Sequence, residues 1–306
     1  MKPNLISWIR KSVRCNQIDV NNMLVSFSKM LQDAYNGHYA VGAFNCLSIE
    51  HVMGAIQAAE ELRSPIILQL AEVQFPYAPI EMMAPVYLEA AAKATVPVVV
   101  HLDHGQSLET CVKAIQLGFN SVMFDGANLP FEENVRQTAE IVRIARAAGV
   151  DVEAELGKVG DTGYGGEGTG DATPDVFTDV EESAEFIART GVDALAIAIG
   201  NLHGRYVATP QLNIDRLKEI ADRNNLPLVL HGGSGTSEED FKSCIHNGIS
   251  KINVATALQM AVTDAVRKYV NDCPSANYID MKDVIVKATC ESVKQHILLF
   301  ESNGKY

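Results

Sequence analysis

No two of the six cysteines in this 306-residue chain form a Cys-x-x-Cys pair; Cys15, Cys46, Cys111, Cys244, Cys273 and Cys290 are scattered along it. Such spacing argues against a disulfide framework and points to reduced thiols in a cytoplasmic protein. Long apolar runs are missing too. None reaches the roughly 20 residues that span a bilayer, so no membrane partner is expected. Residues 1–19 carry Arg10, Lys11 and Arg14 without the apolar stretch of a signal peptide. Basic residues are scarce: 25 Lys and Arg against 38 Asp and Glu leave a net charge of −13. That argues against nucleic acid as a partner. It leaves room for a small anionic ligand, because backbone amides at a helix N-terminus hold a phosphate locally. Also absent is a Gly-x-Gly-x-x-Gly turn after the first strand, which disfavours an open doubly wound sheet.

What is present is alternation. Hydrophobic residues make up 47% of the chain, ample for a large core, and its length suits two average domains or one (β/α)8 barrel of about 250 residues. A helical stripe over 22–36 comes first, with Met23, Leu24, Phe27, Met30, Leu31 and Ala34 on one side. Apolar, β-branched segments at 39–45, 65–70, 98–105, 120–125, 151–155, 194–199, 227–231 and 251–254 then read as eight strands separated by segments of helical period. This pattern predicts an α/β fold, a single TIM barrel over 23–306. Residues 1–22 form an N-terminal extension, read as an amphipathic or poorly ordered lead-in. A helix near 281–300 lies beyond the eighth unit, placed to cover the barrel or to reach a neighbouring subunit. The Gly-rich stretch 157–178 breaks the rhythm, and a loop of that length is read as a mobile functional segment, with a tolerated insertion as the alternative.

Chemistry collects where strands end. Val100-His101-Leu102-Asp103-His104-Gly105, Gly200-Asn201-Leu202-His203-Gly204 and Leu230-His231-Gly232 each close a strand with a histidine followed by glycine. Three imidazoles from three strands suit zinc with a position left for substrate, making His104, His203 and His231 candidate ligands. Alternation along the strand points His101 with Asp103 and away from His104, so His101 is left out of the metal shell. Asp103 is placed to move a proton beside the metal, or else to orient an imidazole. Asp125 and Glu155 end the next two strands and suit a second metal position, an electrostatic support or a structural role. Glu167, in the Gly-rich loop, is either a second proton carrier or an exposed loop carboxylate. Gly232-Gly233-Ser234-Gly235 leads into a helix, and Asn253-Val254-Ala255-Thr256 ends the last strand beside it. Together these form a candidate phosphate cradle after strands seven and eight.

At these motifs, with Ala43-Phe44-Asn45 and Glu153-Ala154-Glu155-Leu156-Gly157, the chain resembles the class II, zinc-dependent ketose-bisphosphate aldolases. It is most similar to the tagatose-bisphosphate and fructose-bisphosphate aldolase branch. The resemblance spans about 23–300 and implies Zn2+ on His104, His203 and His231, with Asp103 as the acid/base. It sets Asn253 near the dihydroxyacetone phosphate moiety and Gly204, Gly232, Ser234 and Thr256 around its phosphate. A monovalent cation (Na+ or K+) is often nearby. Asp125 and Glu155 match positions of a second or displaced metal, and Glu167 is the nearest match to the loop acid that handles the C–H proton. The implied reaction is reversible cleavage of a ketose (bis)phosphate into dihydroxyacetone phosphate and an aldehyde, with no lysine Schiff base. The implied assembly is a homo-oligomer, dimer or tetramer. Three departures bear on the substrate: Leu70-Ala71-Glu72 where many relatives carry serine, Arg205 where a lysine often follows, and Gly160-Asp161 opening the loop. They leave the aldehyde half open. The alternatives are a non-catalytic sugar-phosphate-binding or partner subunit on the same fold, and a metal-dependent hydrolase or epimerase.

Overall fold

The computed structural model describes residues 23–161, 177–204, 211–233 and 236–306. Its strands, in chain order, are β1 (Val41–Asn45), β2 (Ile66–Ala71), β3 (Val98–Gly105), β4 (Ser121–Phe124) and β5 (Asp151–Leu156), then β6 (Gly160–Asp161), β7 (Ala194–Ile197), β8 (Leu202–His203), β9 (Leu228–Leu230) and β10 (Ile249–Val254). Eight of them close a parallel barrel in the order β1-β10-β9-β7-β5-β4-β3-β2, and β6 pairs with β8 in a separate short sheet. Closure is made by β1, which pairs Ala43 with Ile67 of β2 and Phe44 with Val254 of β10. The barrel expected from the alternation is the barrel found.

Buried on both faces, these strands must be apolar nearly throughout. Helices α1 (Phe27–Gly37), α2 (Ile49–Leu62), α3 (Ile80–Lys93), α4 (Leu108–Gln116) and α5 (Phe131–Ala147) accompany the first half. The rest are α6 (Val180–Thr190), α7 (Ile214–Asn224), α8 (Glu238–His246), α9 (Thr256–Asp272) and α10 (Tyr278–Leu299). Helices open on side-chain caps: Ser48 accepts from the His51 amide, Ser107 from Thr110 and Asp179 from Glu181 and Glu182. Each cap is worth about 1 kcal/mol.

The first helix starts later than its apolar stripe suggests. Ser26 caps it, and residues 23–25 run extended beside the entry of β3, where the Val98 amide donates to Met23 O at 2.8 Å and the Val25 amide to Val98 O at 3.0 Å. Met23 and Leu24 therefore belong to a strand-like edge, and only the pattern from Phe27 onward is helical. Phe27, Met30, Leu31 and Ala34 plug the N-terminal end of the barrel against Val41, Ile67, Val99, Ala194 and Val229. At the other end of the chain α10 covers the barrel. It packs on α2, and the chain after it returns to β1 through the Ala40 amide on Phe300 O at 3.0 Å.

Above the plug the inward positions turn polar. Asn45, Gln69, His101, Asp103, Glu153, Glu155, His231, Lys251 and Asn253 are all buried. This polar layer sits toward the C-terminal ends of the strands, the face on which barrel chemistry is built.

Candidate active site

Asp103 and His104 are consecutive in β3, so strict alternation would send them to opposite faces. The register shows why it does not. His101 and Leu102 lie opposite Ser121 and Val122, but Gly105 lies opposite Phe124, so two residues of β3 oppose one of β4. This is a β-bulge, a device that re-aims side chains. His104 adopts φ 43°, a left-handed conformation uncommon for a non-glycine residue. As a result His104 Nε2 comes within 3.8 Å of Asp103 Oδ1. The expectation that His104 faces away from the Asp103 side is corrected here.

Three amides hold Asp103. Asn253 Nδ2 donates to Oδ1 at 2.9 Å, while Asn45 Nδ2 and Gln69 Nε2 donate to Oδ2 at 3.0 and 3.3 Å. Burial pushes this carboxyl up, yet the fields of His104, Lys251 and His231 and the Asn45 hydrogen bond outweigh it. Asp103 therefore sits below the ordinary carboxylate range.

His104 Nδ1 lies 2.9 Å from Asp125 Oδ2, and the His104 and His231 rings stand 4.6 Å apart. His231 is set between two glutamates, with Nε2 2.9 Å from Glu153 Oε1 and Nδ1 3.1 Å from Glu155 Oε2. Burial disfavours charge on His104, but Asp103, Asp125 and Glu155 together raise it to about 10. Burial likewise opposes the charge of Asp125, and the bond to His104 still brings it down to about 2.

Metal-ligand atoms from Asp103, His104 and His231 lie within 4.8 Å of one another, as do those from His104, Asp125 and Glu155. Imidazoles amid a surplus of carboxylates form a donor set suited to a divalent cation, and bonds of about 2.0–2.2 Å to zinc would draw such donors together. The residues present fit a metal.

Several contributors were not singled out by the strand-end reasoning. Lys251, fully buried, is salt-bridged to Glu153 at 2.9 Å and donates to Asn253 Oδ1 at 2.7 Å. It thereby orients the Asn253 amide toward Asp103 and braces the glutamate behind His231. Asn201 ties two histidine-bearing segments together, since its Nδ2 donates to His231 O at 3.0 Å and its Oδ1 accepts from the Ile199 amide. Polar residues at inward positions of otherwise apolar strands were the available signal. His101 lies 2.9 Å from Ser121 Oγ and stacks on Phe27 with ring centroids 5.3 Å apart. Burial, with the field of Lys251, lowers it to about 3. It is a neutral bridge between plug and polar layer.

The remaining candidates divide. His203 falls in β8, whose backbone pairs with β6 through Asp161. Gly204 (φ 89°) and Gly232 (φ 67°) take left-handed turns that favour glycine just after the two strand-end histidines. Asn253 reaches Asp103, and Thr256 opens α9. Glu167, Arg205 and Ser234 lie outside the described residues, as does the whole 1–22 extension. Glu72, the last residue of the departing stretch Leu70-Ala71-Glu72, accepts from the Gln106 amide at 2.7 Å and from Thr110 Oγ1 at 3.0 Å.

A closed parallel barrel with imidazoles and carboxylates gathered at the C-terminal ends of its strands defines a barrel enzyme. A sequence model of the family described as fructose-bisphosphate aldolase class-II matches residues 25–305. The chain belongs to that family. It is 43% identical over 294 residues to a fructose-bisphosphate aldolase of Geobacillus stearothermophilus, covering 92% of this chain and 98% of the relative. It is 38% identical over 273 residues to the D-tagatose-1,6-bisphosphate aldolase subunit GatY of Klebsiella oxytoca, covering 86% and 95%. The crystal structure of the YdjI aldolase from Escherichia coli K12 superposes with a TM-score of 0.81 at 38% identity, covering 92% of this chain and 99% of that one. The protein is thus an aldolase, a carbon–carbon lyase of a family that acts on small-molecule sugar phosphates. No helix among the described residues is long and apolar enough to cross a membrane.

Proposed function

We propose that this enzyme is a zinc-dependent aldolase that reversibly splits a ketose (bis)phosphate into dihydroxyacetone phosphate and an aldehyde. The observation that carries the reading is the buried cluster of Asp103, His104 and His231, whose ligand atoms lie within 4.8 Å of one another. In this reading His104, His203 and His231 hold Zn2+, and Asp125 and Glu155 serve a second or displaced metal position. When bound, the metal supplies Lewis-acid polarisation of the ketose carbonyl. Asp103 takes the proton of the C4 hydroxyl as the C3–C4 bond breaks and its electron pair passes to the dihydroxyacetone phosphate half. Glu167 then returns a proton to C3. Asn253 orients that half of the substrate while its own amide is fixed by Lys251. The amides that hold Asp103 as a carboxylate keep it ready to accept.

Gly204, Gly232, Ser234 and Thr256 surround the phosphate, with Na+ or K+ beside it. Support comes from α9, which has no side-chain cap and no acidic residue in its first turn. That leaves amides and a positive dipole end for an anion. The buried Thr256 hydroxyl has no hydrogen-bond partner among the described residues. Lys251, paired with Glu153, is braced as a cation, which disfavours a Schiff-base amine. A cytoplasmic homo-oligomer, dimer or tetramer, completes the reading.

The test is zinc analysis together with condensation of dihydroxyacetone phosphate with a panel of phosphorylated and unphosphorylated aldehydes. Stoichiometric zinc and condensation are expected, both lost in His203→Ala. Condensation that persists after complete chelation would overturn the metal mechanism. The aldehyde with the highest kcat/KM identifies the second half of the substrate.

A further inference from the structure

Gln74 is 2% exposed and ends a single 3₁₀ turn, Glu72–Gln74, that follows β2. It takes no part in the steps assigned to Asp103, Glu167 and the metal. A buried primary amide needs partners for its oxygen and for two hydrogens, and here they are divided unevenly. Oε1 accepts twice, from the Ala71 amide at 3.1 Å and from Asn45 Nδ2 at 3.1 Å. Nε2 has no hydrogen-bond partner. Because the Ala71 N–H can only donate, the atom facing it must be the oxygen, which settles which way the amide points. Burying an idle donor is unfavourable, and an apolar side chain would fill the same space without one. The oxygen is therefore what accounts for a glutamine at this position.

We propose that Gln74 is a positioning residue, which sets the Asn45 amide and through it aims the Asp103 carboxylate at the substrate hydroxyl. The proposal rests on the reading of Asp103 as the proton carrier. Asn45 is fully buried and fully engaged: Oδ1 accepts from Gln69 Nε2 at 2.8 Å, and Nδ2 donates to Gln74 Oε1 and, at 3.0 Å, to Asp103 Oδ2. Turning that amide over would set its oxygen against both the Asp103 carboxylate and Gln74 Oε1, and its hydrogens against those of Gln69. Without the Gln74 acceptor one Asn45 hydrogen loses its buried partner, and the amide is free to turn in search of another. The hold on Asp103 Oδ2 then loosens. Gln69 Nε2, at 3.3 Å, is the more distant donor to that oxygen, and Asn253 holds Oδ1 instead.

The turn is anchored on two sides. Ala71 lies opposite Asp103 in the β2–β3 register, so Gln74 folds back onto the backbone beside the carboxylate it helps to aim. On the other side, Glu72 accepts from the Gln106 amide and from Thr110 Oγ1, which fixes the turn to the start of α4. A short hydrogen-bonded line thus runs from the end of β2 through Gln74 and Asn45 to Asp103. Reactions are sensitive to such lines, because a carboxylate displaced by a fraction of an ångström leaves its productive geometry.

Gln74→Met keeps the length of the side chain and removes the acceptor. Two reactions of the full-length zinc enzyme separate its effects. Condensation of dihydroxyacetone phosphate with the aldehyde of highest kcat/KM in the panel needs Asp103. Exchange of solvent deuterium into C3 of dihydroxyacetone phosphate alone needs the metal site and the C–H proton carrier, and not Asp103. In Gln74→Met the kcat of condensation is expected to fall about 10- to 100-fold, as for a slightly misplaced catalytic group, while deuterium exchange and the KM for the aldehyde stay as they were. The double variant Asn45→Ala, Gln74→Met should fall no further than Asn45→Ala alone, since one acts through the other. Gln74→Leu, of different shape, gives the same readings should Gln74→Met fold poorly. Unchanged condensation overturns the proposal, as do additive losses in the double variant. Exchange that falls in step with condensation would make the role merely structural, and a raised KM at unchanged kcat would make Gln74 a substrate contact; either overturns it. Condensation undiminished in Asp103→Ala refutes the reading of Asp103 and this proposal with it, whereas a loss there without one in Gln74→Met refutes this proposal alone.

Discussion

At the scale of single residues, the peptide joining Asp103 to His104 sets the proposed proton carrier beside a proposed metal ligand. One extra residue in β3 and one left-handed φ turn neighbours in sequence into neighbours in the site. Their work remains separable. Both Asp103 oxygens accept from amide donors, which suits a proton carrier, whereas His104 is oriented through Nδ1 by Asp125 in the manner of a metal-ligating imidazole. Asp103→Ala is therefore expected to retain zinc by elemental analysis while kcat falls about 10²- to 10⁴-fold, the span of general acid–base catalysis. An unchanged kcat would remove Asp103 from the mechanism. Zinc lost in parallel with activity would instead make it a ligand. Strand-end histidines were easy to read in the sequence because an apolar run stopping at His-Gly is conspicuous. The bulge was not, since it exists only in the pairing of β3 with β4.

At the scale of elements, two helices close the two ends of the problem. Helix α1 seals the barrel floor, and its start at Phe27 is decided by the Ser26 cap and by the claim of β3 on residues 23–25, neither visible in an apolar stripe. Helix α10 seals the side, and Gly54 of α2 lets the two helices pack tightly. A Cβ there would meet Val286 O at 2.5 Å and the Thr289 Cβ at 2.7 Å. Because two of those contacts are with the body of the facing helix, Gly54→Leu forces α10 outward. Such overpacking costs about 1–3 kcal/mol or more, expected as a lower urea midpoint with kcat per folded molecule retained. A midpoint equal to that of the unaltered protein would show that α10 adapts without cost.

At the scale of the whole molecule, the barrel gathers acids from β3, from β5 and from just past β4 around imidazoles from β3 and from just past β9, and a cation at their centre would tie those strands together. Anything that binds only the folded state stabilises it by mass action, about 2.7 kcal/mol when free ligand is a hundredfold above its dissociation constant. Chelation should accordingly lower Tm, and zinc should restore it. Identical melting with and without the metal would place zinc outside this cluster.

The sequence by itself determined the eight strands, the helices between them and the strand ends that carry histidine and aspartate. These follow from local rules: runs buried on two faces must be apolar, and helices announce their caps. Only the tertiary structure decided what meets inside. Asn253 reaches Asp103 across 150 residues, and Lys251 reaches Glu153 across 98. Such contacts depend on barrel closure and on the register between strands. No local pattern specifies these, because period two marks which side chains turn inward and leaves open which of them touch.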